Sequence, residues 1–302
     1  MKVITVVLCF NSKKYIGECL ESLSKNNSDI LVVDGGSTDG SGDYIKGSPF
    51  MLEGGSLLRL IETDKNLGYA GGNNVGLRYT LDQKADFIWI VNPDIVVDPK
   101  ALDEALKVML TDAKTAVVGS KVYFAPGYEF HKNRYDKKEL GKVIWYAGGE
   151  NDWKNVFAKH YGINEVDKGQ YDKVREVGIV TGASMLIRAD ALHQAGFIDE
   201  KYFLYYEEND LCMRIKKMGW KMQYAPKSKV WHKVGMAAGI GSPLADYYIT
   251  RNRMLFGMRW APLKTRLSLI KESMKLLISG RKWQKIGIRD FYLGRFGKGS
   301  YA

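Results

Sequence analysis

The stretch that most constrains this 302-residue chain is FIWIVNPD, Phe87–Asp94, followed by Ile95–Val97 and Pro99. Five consecutive β-forming apolar residues without polar alternation describe a strand buried on both faces, as in a parallel sheet. Asn92-Pro93-Asp94 stops it. Pro93 has no amide hydrogen for a ladder, and Asp94 falls at the strand's C-terminal end, which in open α/β sheets lines the ligand crevice. Taken alone, the segment reads more simply as a strand and an ordinary Pro-Asp turn. The rest of the chain decides between the two.

The N-terminal third repeats the pattern. Val3–Leu8 is an apolar run broken at Phe10-Asn11-Ser12, where Asn11 or Ser12 caps a helix over Lys13–Ser24. Asp29–Val33 is a second strand, ending at Asp34 before GGSTDG, and Leu57–Glu62 a third. Strands alternating with helices predict a parallel sheet covered by helices. Asp34 and Asp94 would then converge on one crevice, and an acid after strand two commonly bonds a nucleotide's ribose or base. No GxGxxG follows strand one and no GxxxxGK[ST] occurs, which disfavours a dinucleotide site and excludes a P-loop. Asn66–Gly76, with four glycines and three asparagines, reads as a loop able to approach a ligand closely. It leads into a helix over Asn73–Leu81 whose first amides suit an anion.

Further on, Pro99–Leu110 reads as a helix and Ala116–Phe124 as a strand. Residues 126–178 are polar and aromatic-rich, more like a binding loop than a core element. Val177–Ile187 reads as a strand interrupted by Gly-Ala-Ser, and Ala189–Ala195 as a short helix. Another helix begins at Glu207-Glu208, acids that suit its N-terminus, with Asp210 serving the same first turn. Met222–Ala225 and Lys229–Trp231 read as two short strands, the second closed by His232 and Gly235. Tyr247–Gly257 and Leu263–Ser279 read as helices. On the last, Leu263, Leu267, Ile270, Met274 and Leu277 form an apolar stripe, and Lys264, Lys271, Lys275 and Lys282 a second stripe. Such a helix either packs on the domain with a solvated basic face or lies in a membrane interface.

Charge separates the ends of the chain. The net charge is +11, and residues 247–302 carry 13 Lys and Arg against Glu272 and Asp290 alone, so the whole surplus sits there. A neutral body with a basic tail predicts an anionic surface as partner. The three cysteines, Cys9, Cys19 and Cys212, have no metal spacing and read as reduced core residues. Met1-Lys2 runs directly into a strand with no signal-peptide h-region, and no window has the ~18–20 apolar residues of a bilayer span. The expectation is a cytoplasmic protein, peripheral on the cytoplasmic face of the membrane.

The motifs VVLCFNS, VVDGGSTDGS, NLGYAGGNNVG, VNPD, TGASMLIRADAL…GFIDEKYFLYYEENDLCMRIKKMGW, VWHKVG and YYITRNR, in this order, resemble the inverting glycosyltransferases of family 2. Within them the rhamnosyltransferase-like group is nearest. The resemblance covers nearly the whole chain. It implies an α/β, GT-A fold, a Rossmann-like, mostly parallel central sheet flanked by helices, with a helical basic C-terminal extension. The division it suggests is 1–246 as the transferase domain (1–125 binding the nucleotide sugar, 126–246 the acceptor and catalytic half) and 247–302 as the extension.

By that resemblance, Cys9, Phe10, Asn11 and Asp34 contact the nucleotide, with Gly71 and Asn73 from the glycine-asparagine segment. Asp94 matches the last acid of the DxD motif and holds Mg²⁺ or Mn²⁺. Asn92 stands where that motif has its first acid and bonds a ribose hydroxyl. His232 matches the histidine that adds a nitrogen to the cation or touches the diphosphate. The general base is Glu208, with Glu207 as rival, since the usual pair is Glu-Asp. The donor is a nucleotide-diphosphate sugar, dTDP-rhamnose first and UDP-linked hexoses or N-acetylhexosamines next. The acceptor is lipid-linked or a growing polysaccharide, and nucleic acid is not expected as a partner. Competing readings are a nucleotidyltransferase, disfavoured by the lack of a basic glycine-rich loop near Cys9, and a non-catalytic nucleotide-sugar-binding protein, disfavoured by the retention of Asp34, Asp94, Glu208 and His232 together.

Overall fold

The computed structural model describes residues 1–47, 57–234 and 241–301, which leaves Gly235 outside the described residues. The apolar runs form the expected strands: β1 (Val3–Cys9), β2 (Asp29–Asp34), β3 (Leu58–Glu62), β4 (Phe87–Val91) and β5 (Ile95–Val97). The intervening helices are α1 (Lys13–Leu23), α2 (Ser41–Gly47) and α3 (Gly68–Asp82). β1 pairs in parallel with both β2 and β4, and β2 with β3. Every residue of β4 is buried, as its unbroken apolar run requires.

After α4 (Ala101–Thr111) and β6 (Thr115–Phe124), the chain builds β7 (Ile144–Tyr146), the hairpin β8 (Gly149–Asp152) and β9 (Phe157–His160), and β10 (Arg175–Glu176). It continues through β11 (Ser184–Arg188), α5 (Ala189–Ala195), α6 (Glu207–Lys217) and β12 (Lys221–His232). The sheet order is β10-β12-β6-β11-β4-β1-β2-β3, with β5 on β12 and β7 on β6. β6 and β12 are parallel, while β11 runs antiparallel between β4 and β6. This is a central α/β sheet flanked by helices, with the C-terminal ends of β1, β2 and β4 opening onto one edge.

Several boundaries differ from the sequence reading, each for a physical reason. The strand expected over Val177–Ile187 is ladder only from Ser184, because Thr181-Gly182-Ala183 turns to meet a tyrosine of α3. The two short strands expected after α6 are one strand, whose register with β6 shifts between Ala225 and Lys229, around Pro226. The glycine-asparagine segment is not a loop but the first turns of α3. A Cβ at Gly72 would sit 2.4 Å from Leu8 Cδ1, and one at Gly76 2.5 Å from Val6 Cγ1. These glycines let the helix lie directly on β1. The first amides of α3 are also already used, Gly68 N–H donating to Asn66 Oδ1 and Ala70 N–H to the Phe203 carbonyl. No free anion site remains at those two amides.

The C-terminal helices are α7 (Pro243–Trp260), α8 (Leu263–Ser279) and α9 (Lys282–Tyr292). The expected boundary at 246/247 falls inside α7. The main core fills both sides of the sheet. A second cluster, with Tyr202, Tyr206, Met254, Phe256, Leu269 and Ile288, joins the three C-terminal helices to the segment just before α6. The three cysteines are free and buried.

Candidate active site

Two loops meet above β1 and β2. Asp34 ends β2 directly beside Cys9 of β1, and the Gly35 amide donates to the Cys9 carbonyl at 2.8 Å. Asp34 is 4% exposed. Its Oδ1 accepts from the Ser37 amide at 3.0 Å and the Ser37 hydroxyl at 2.5 Å. Asn11, at φ 49°, accepts from the Thr38 amide at 2.8 Å, and its own amide donates to Ser37 Oγ. The β1 and β2 loops are therefore tied by their own polar groups, while Phe10 stands 42% exposed above them.

The second group forms where β4, β5 and β12 come together. Antiparallel pairing of His232 with Ile95 brings the histidine to the residue that follows Pro93. His232 Nε2 lies 3.2 Å from Asp94 Oδ1. The pair lacks hydrogen-bond alignment, so Asp94 Oδ1 has no donor, and the other ring nitrogen, His232 Nδ1, also has no hydrogen-bond partner. Trp145 packs edge-on against the His232 ring at 4.9 Å. Asn92 is fixed through its backbone, its amide donating to the Ala183 carbonyl at 3.1 Å.

The third group is the start of α6. Glu207 is 3% exposed, and the Oε2 atoms of Glu207 and Glu208 are both buried without a partner. Burial pushes both carboxyls above the usual range, and the charge of Glu208 pushes Glu207 further. Tyr69, on α3, links the groups. Burial raises its phenol well above the usual value, and the charges of Glu208, Glu207 and Asp94 add to the rise. Its hydroxyl donates to the Gly182 carbonyl at 2.8 Å, and a Cβ at Gly182 would meet that hydroxyl at 2.3 Å.

Asn73 completes the arrangement from the same helix. Its Nδ2 donates to the Tyr69 carbonyl at 2.9 Å, while its buried Oδ1 has no partner. Gly71 lies inside α3, where a Cβ would be 2.8 Å from Leu67 Cβ. Among the described residues, eight buried side-chain polar atoms lack a partner, and five belong to Asn73, Asp94, Glu207, Glu208 and His232. Native interiors satisfy nearly all such atoms, so a concentration of exceptions marks a candidate polar site.

The sequence reading missed how α6 is held. Phe203, Tyr205 and Tyr206 all have positive φ, at 65°, 68° and 74°, a conformation that costs a non-glycine residue free energy. Asn252 of α7 donates to the carbonyls of Tyr202, Leu204 and Tyr205 at 2.8, 2.8 and 2.9 Å. Arg251, fully buried, donates to those of Lys201 and Tyr202 at 3.1 and 2.9 Å. Asp210 is structural, as the sequence allowed. Arg214 at 2.9 Å, Trp260 at 2.8 Å and Arg259 at 3.0 Å all reach it.

Comparison with known proteins places this geometry. Residues 5–194 match the profile of Glycosyl transferase family 2. The chain is 24% identical over 245 residues to N-acetylglucosaminyl-diphospho-decaprenol L-rhamnosyltransferase of Mycobacterium tuberculosis, covering 78% of this chain and 76% of that protein. It is 22% identical over 266 residues to dTDP-rhamnosyl transferase RfbF of Shigella flexneri, covering 84% and 79%. In fold it is similar to mannosyltransferase PcManGT from Pyrobaculum calidifontis, solved with GDP-Man and Mn²⁺. The TM-score is 0.56 at 14% identity, over 97% of this chain and 74% of that one. The sheet is that of the GT-A glycosyltransferases, and the chain belongs to glycosyl transferase family 2.

Proposed function

We propose that the chain transfers a sugar, with inversion, from a nucleoside diphosphate donor to a lipid-linked or growing glycan acceptor. The observation that carries this is the gathering of five partnerless buried polar atoms on Asn73, Asp94, Glu207, Glu208 and His232. Asp34, Cys9, Phe10 and Asn11 hold the nucleotide, Phe10 offering its exposed ring to the base. Asn92 takes a ribose hydroxyl, and Gly71 and Asn73 border the sugar-nucleotide. dTDP-rhamnose is the first donor to test, in keeping with the rhamnosyltransferases among the relatives, and UDP-linked sugars follow. The decaprenol-linked substrate in one relative's name supports a lipid-linked acceptor.

Asp94 Oδ1 and His232 Nε2, 3.2 Å apart, offer one hard oxygen and one imidazole nitrogen, a pair that suits Mn²⁺ better than Mg²⁺. Among the described residues no cluster of three or more His, Cys, Asp or Glu groups could hold a metal. A two-ligand site suits a cation that keeps most of its shell for diphosphate and water. When bound, the cation neutralises charge on the leaving diphosphate. Glu208 accepts the proton of the attacking acceptor hydroxyl. Burial moves its carboxyl toward operating pH, which favours a base. Glu207, whose carboxyl burial and the neighbouring Glu208 raise above its ordinary value, stands behind it.

Thermal denaturation across a panel of nucleotide sugars, with and without Mn²⁺, tests the reading. A donor at a hundred times its dissociation constant adds about 2.7 kcal/mol, a rise of roughly 4 °C for a chain of this length. The expected pattern is a rise with dTDP-rhamnose that grows with Mn²⁺. No rise with any nucleotide sugar overturns the reading.

A further inference from the structure

The apolar stripe of α8 does not face the protein. An amphipathic helix on a globular domain turns its apolar face to the core, but here Leu263 is 71% exposed, Leu267 60%, Met274 48% and Ile278 81%. At about 100° per residue, these four fall within roughly 60° of one another. The residues α8 does bury, Leu269 and Ser273, lie on a different face, roughly 130° away. The helix is thus docked by one narrow seam and presents its apolar ridge outward.

α9 meets α8 at the seam, Ser273 Oγ lying 2.7 Å from the Tyr292 hydroxyl, and Tyr292 and Leu293 at its end are themselves exposed. Seven of the seventeen exposed large apolar side chains among the described residues fall between Leu263 and Leu293. That concentration in a tenth of the chain marks an interaction surface rather than scattered surface leucines. Lys264, Lys271 and Lys275 follow one edge of the ridge, on the side opposite the buried seam, and no ion pair engages them among the described residues.

We infer that this surface, the exposed ridge of α8 from Leu263 to Ile278, inserts into the headgroup boundary of an anionic lipid bilayer. An apolar ridge with a lysine row beside it is the pattern of a helix lying in the membrane plane. No helix of the described residues is long and apolar enough to cross a membrane, so the attachment is lateral. A second copy of the chain fits less well. A self-complementary contact would set two copies of a segment carrying 13 cations and two anions against each other. The purpose of the attachment, to bring the crevice to a lipid-linked acceptor, rests on the proposed function; the surface itself does not.

Flotation of the full chain with phosphatidylcholine vesicles, and with vesicles one-third phosphatidylglycerol, at low and high salt tests this. The wild-type chain is expected to float with the anionic vesicles, more at low salt. Replacing three exposed residues, Leu267→Ser, Met274→Ser and Ile278→Ser together, is expected to lower partition at least tenfold at both salts. The combination Lys264→Gln, Lys271→Gln and Lys275→Gln is expected to remove most of the salt dependence, at about fivefold per lysine. Transfer to a water-soluble, short-chain acceptor is expected to be unchanged in all three proteins. The inference is overturned if the wild-type chain stays in the aqueous phase, or if the serine variant floats like it. It is equally overturned if light scattering shows a dimer that the serine variant makes monomeric, which would give the surface to a second copy. Vesicle binding without any transfer would count against the proposed function and leave the surface standing.

Discussion

The two sides of the crevice are built on opposite principles. Above β1 and β2, the polar groups satisfy one another: Ser37 closes on Asp34, and Asn11 on Thr38. Above β4 and at the start of α6, Asp94, Glu207, Glu208 and His232 each keep a buried atom without a partner. A satisfied loop is pre-shaped and loses little freedom when a nucleotide arrives. An unsatisfied cluster leaves a demand for hydrogen bonds or charge that an incoming polar group can meet. Under the proposed function, the contrast predicts that the proton transfer can be removed without losing the donor, since Glu208 lies on the unsatisfied side and Asp34 and Asn11 on the other.

The largest effect that would break this contrast is at Glu208. In Glu208→Gln the side chain keeps its size and loses its basicity. Turnover is expected to fall by at least about a thousandfold, near the upper range for loss of a general base. The thermal shift produced by the donor should persist, because the satisfied side is untouched. Near-normal turnover in this variant would move the base to Glu207 or abandon the pair, and lost donor binding would merge the two sides into one.

Asn252 sharpens the contrast from behind. Its amide ties three carbonyls of a segment with three positive-φ residues, and α6 begins directly after it. Asn252→Ala leaves those carbonyls short of donors, at a cost of about 1–3 kcal/mol. Because a small misplacement of a reacting group is expensive, kcat is expected to fall about ten- to a hundredfold with the donor KM unchanged. A lowered melting temperature with wild-type kcat would reduce Asn252 to a structural brace.

What could be read in advance follows the same division. The strands β1, β2 and β4 were legible because unbroken apolar runs end on polar corners, and Asp34 and Asp94 because a lone acid at such a corner is conspicuous. Gly72 and Gly76 misled, since glycine signals a loop unless a strand is pressed against the helix that carries it, and the partner atoms on Leu8 and Val6 are distant in sequence. The outward stripe of α8 was visible as a stripe, but periodicity alone does not say which side the core is on. Arg251, Asn252 and Tyr69 were illegible in role because they act on backbone carbonyls, and a sequence does not show where carbonyls point. The motif YYITRNR contained two of them, two polar residues buried in the middle of α7, and that burial is the signal that would have found them.

The smallest expected effect is on stability, and its sign tests whether the reacting side is truly unsatisfied. Burial, and then the charge of Glu208, raise the Glu207 carboxyl well above its unfolded value. For an acid so shifted, the folded state holds the proton more tightly than the unfolded chain. Between the unfolded and the raised folded value, stability falls as pH rises. Glu207→Gln removes that titration while keeping the shape. Without ligand, the variant is expected to melt roughly 1–2 °C above the wild type at pH 8, for a gain of about 1 kcal/mol. The gap should close only as pH is lowered below the ordinary carboxylate range, where the wild-type carboxyl is protonated in both states. A satisfied, hydrogen-bonded Glu207 would give the reverse, a variant that melts lower at pH 8. That result would erase the difference between the two sides of the crevice at this residue.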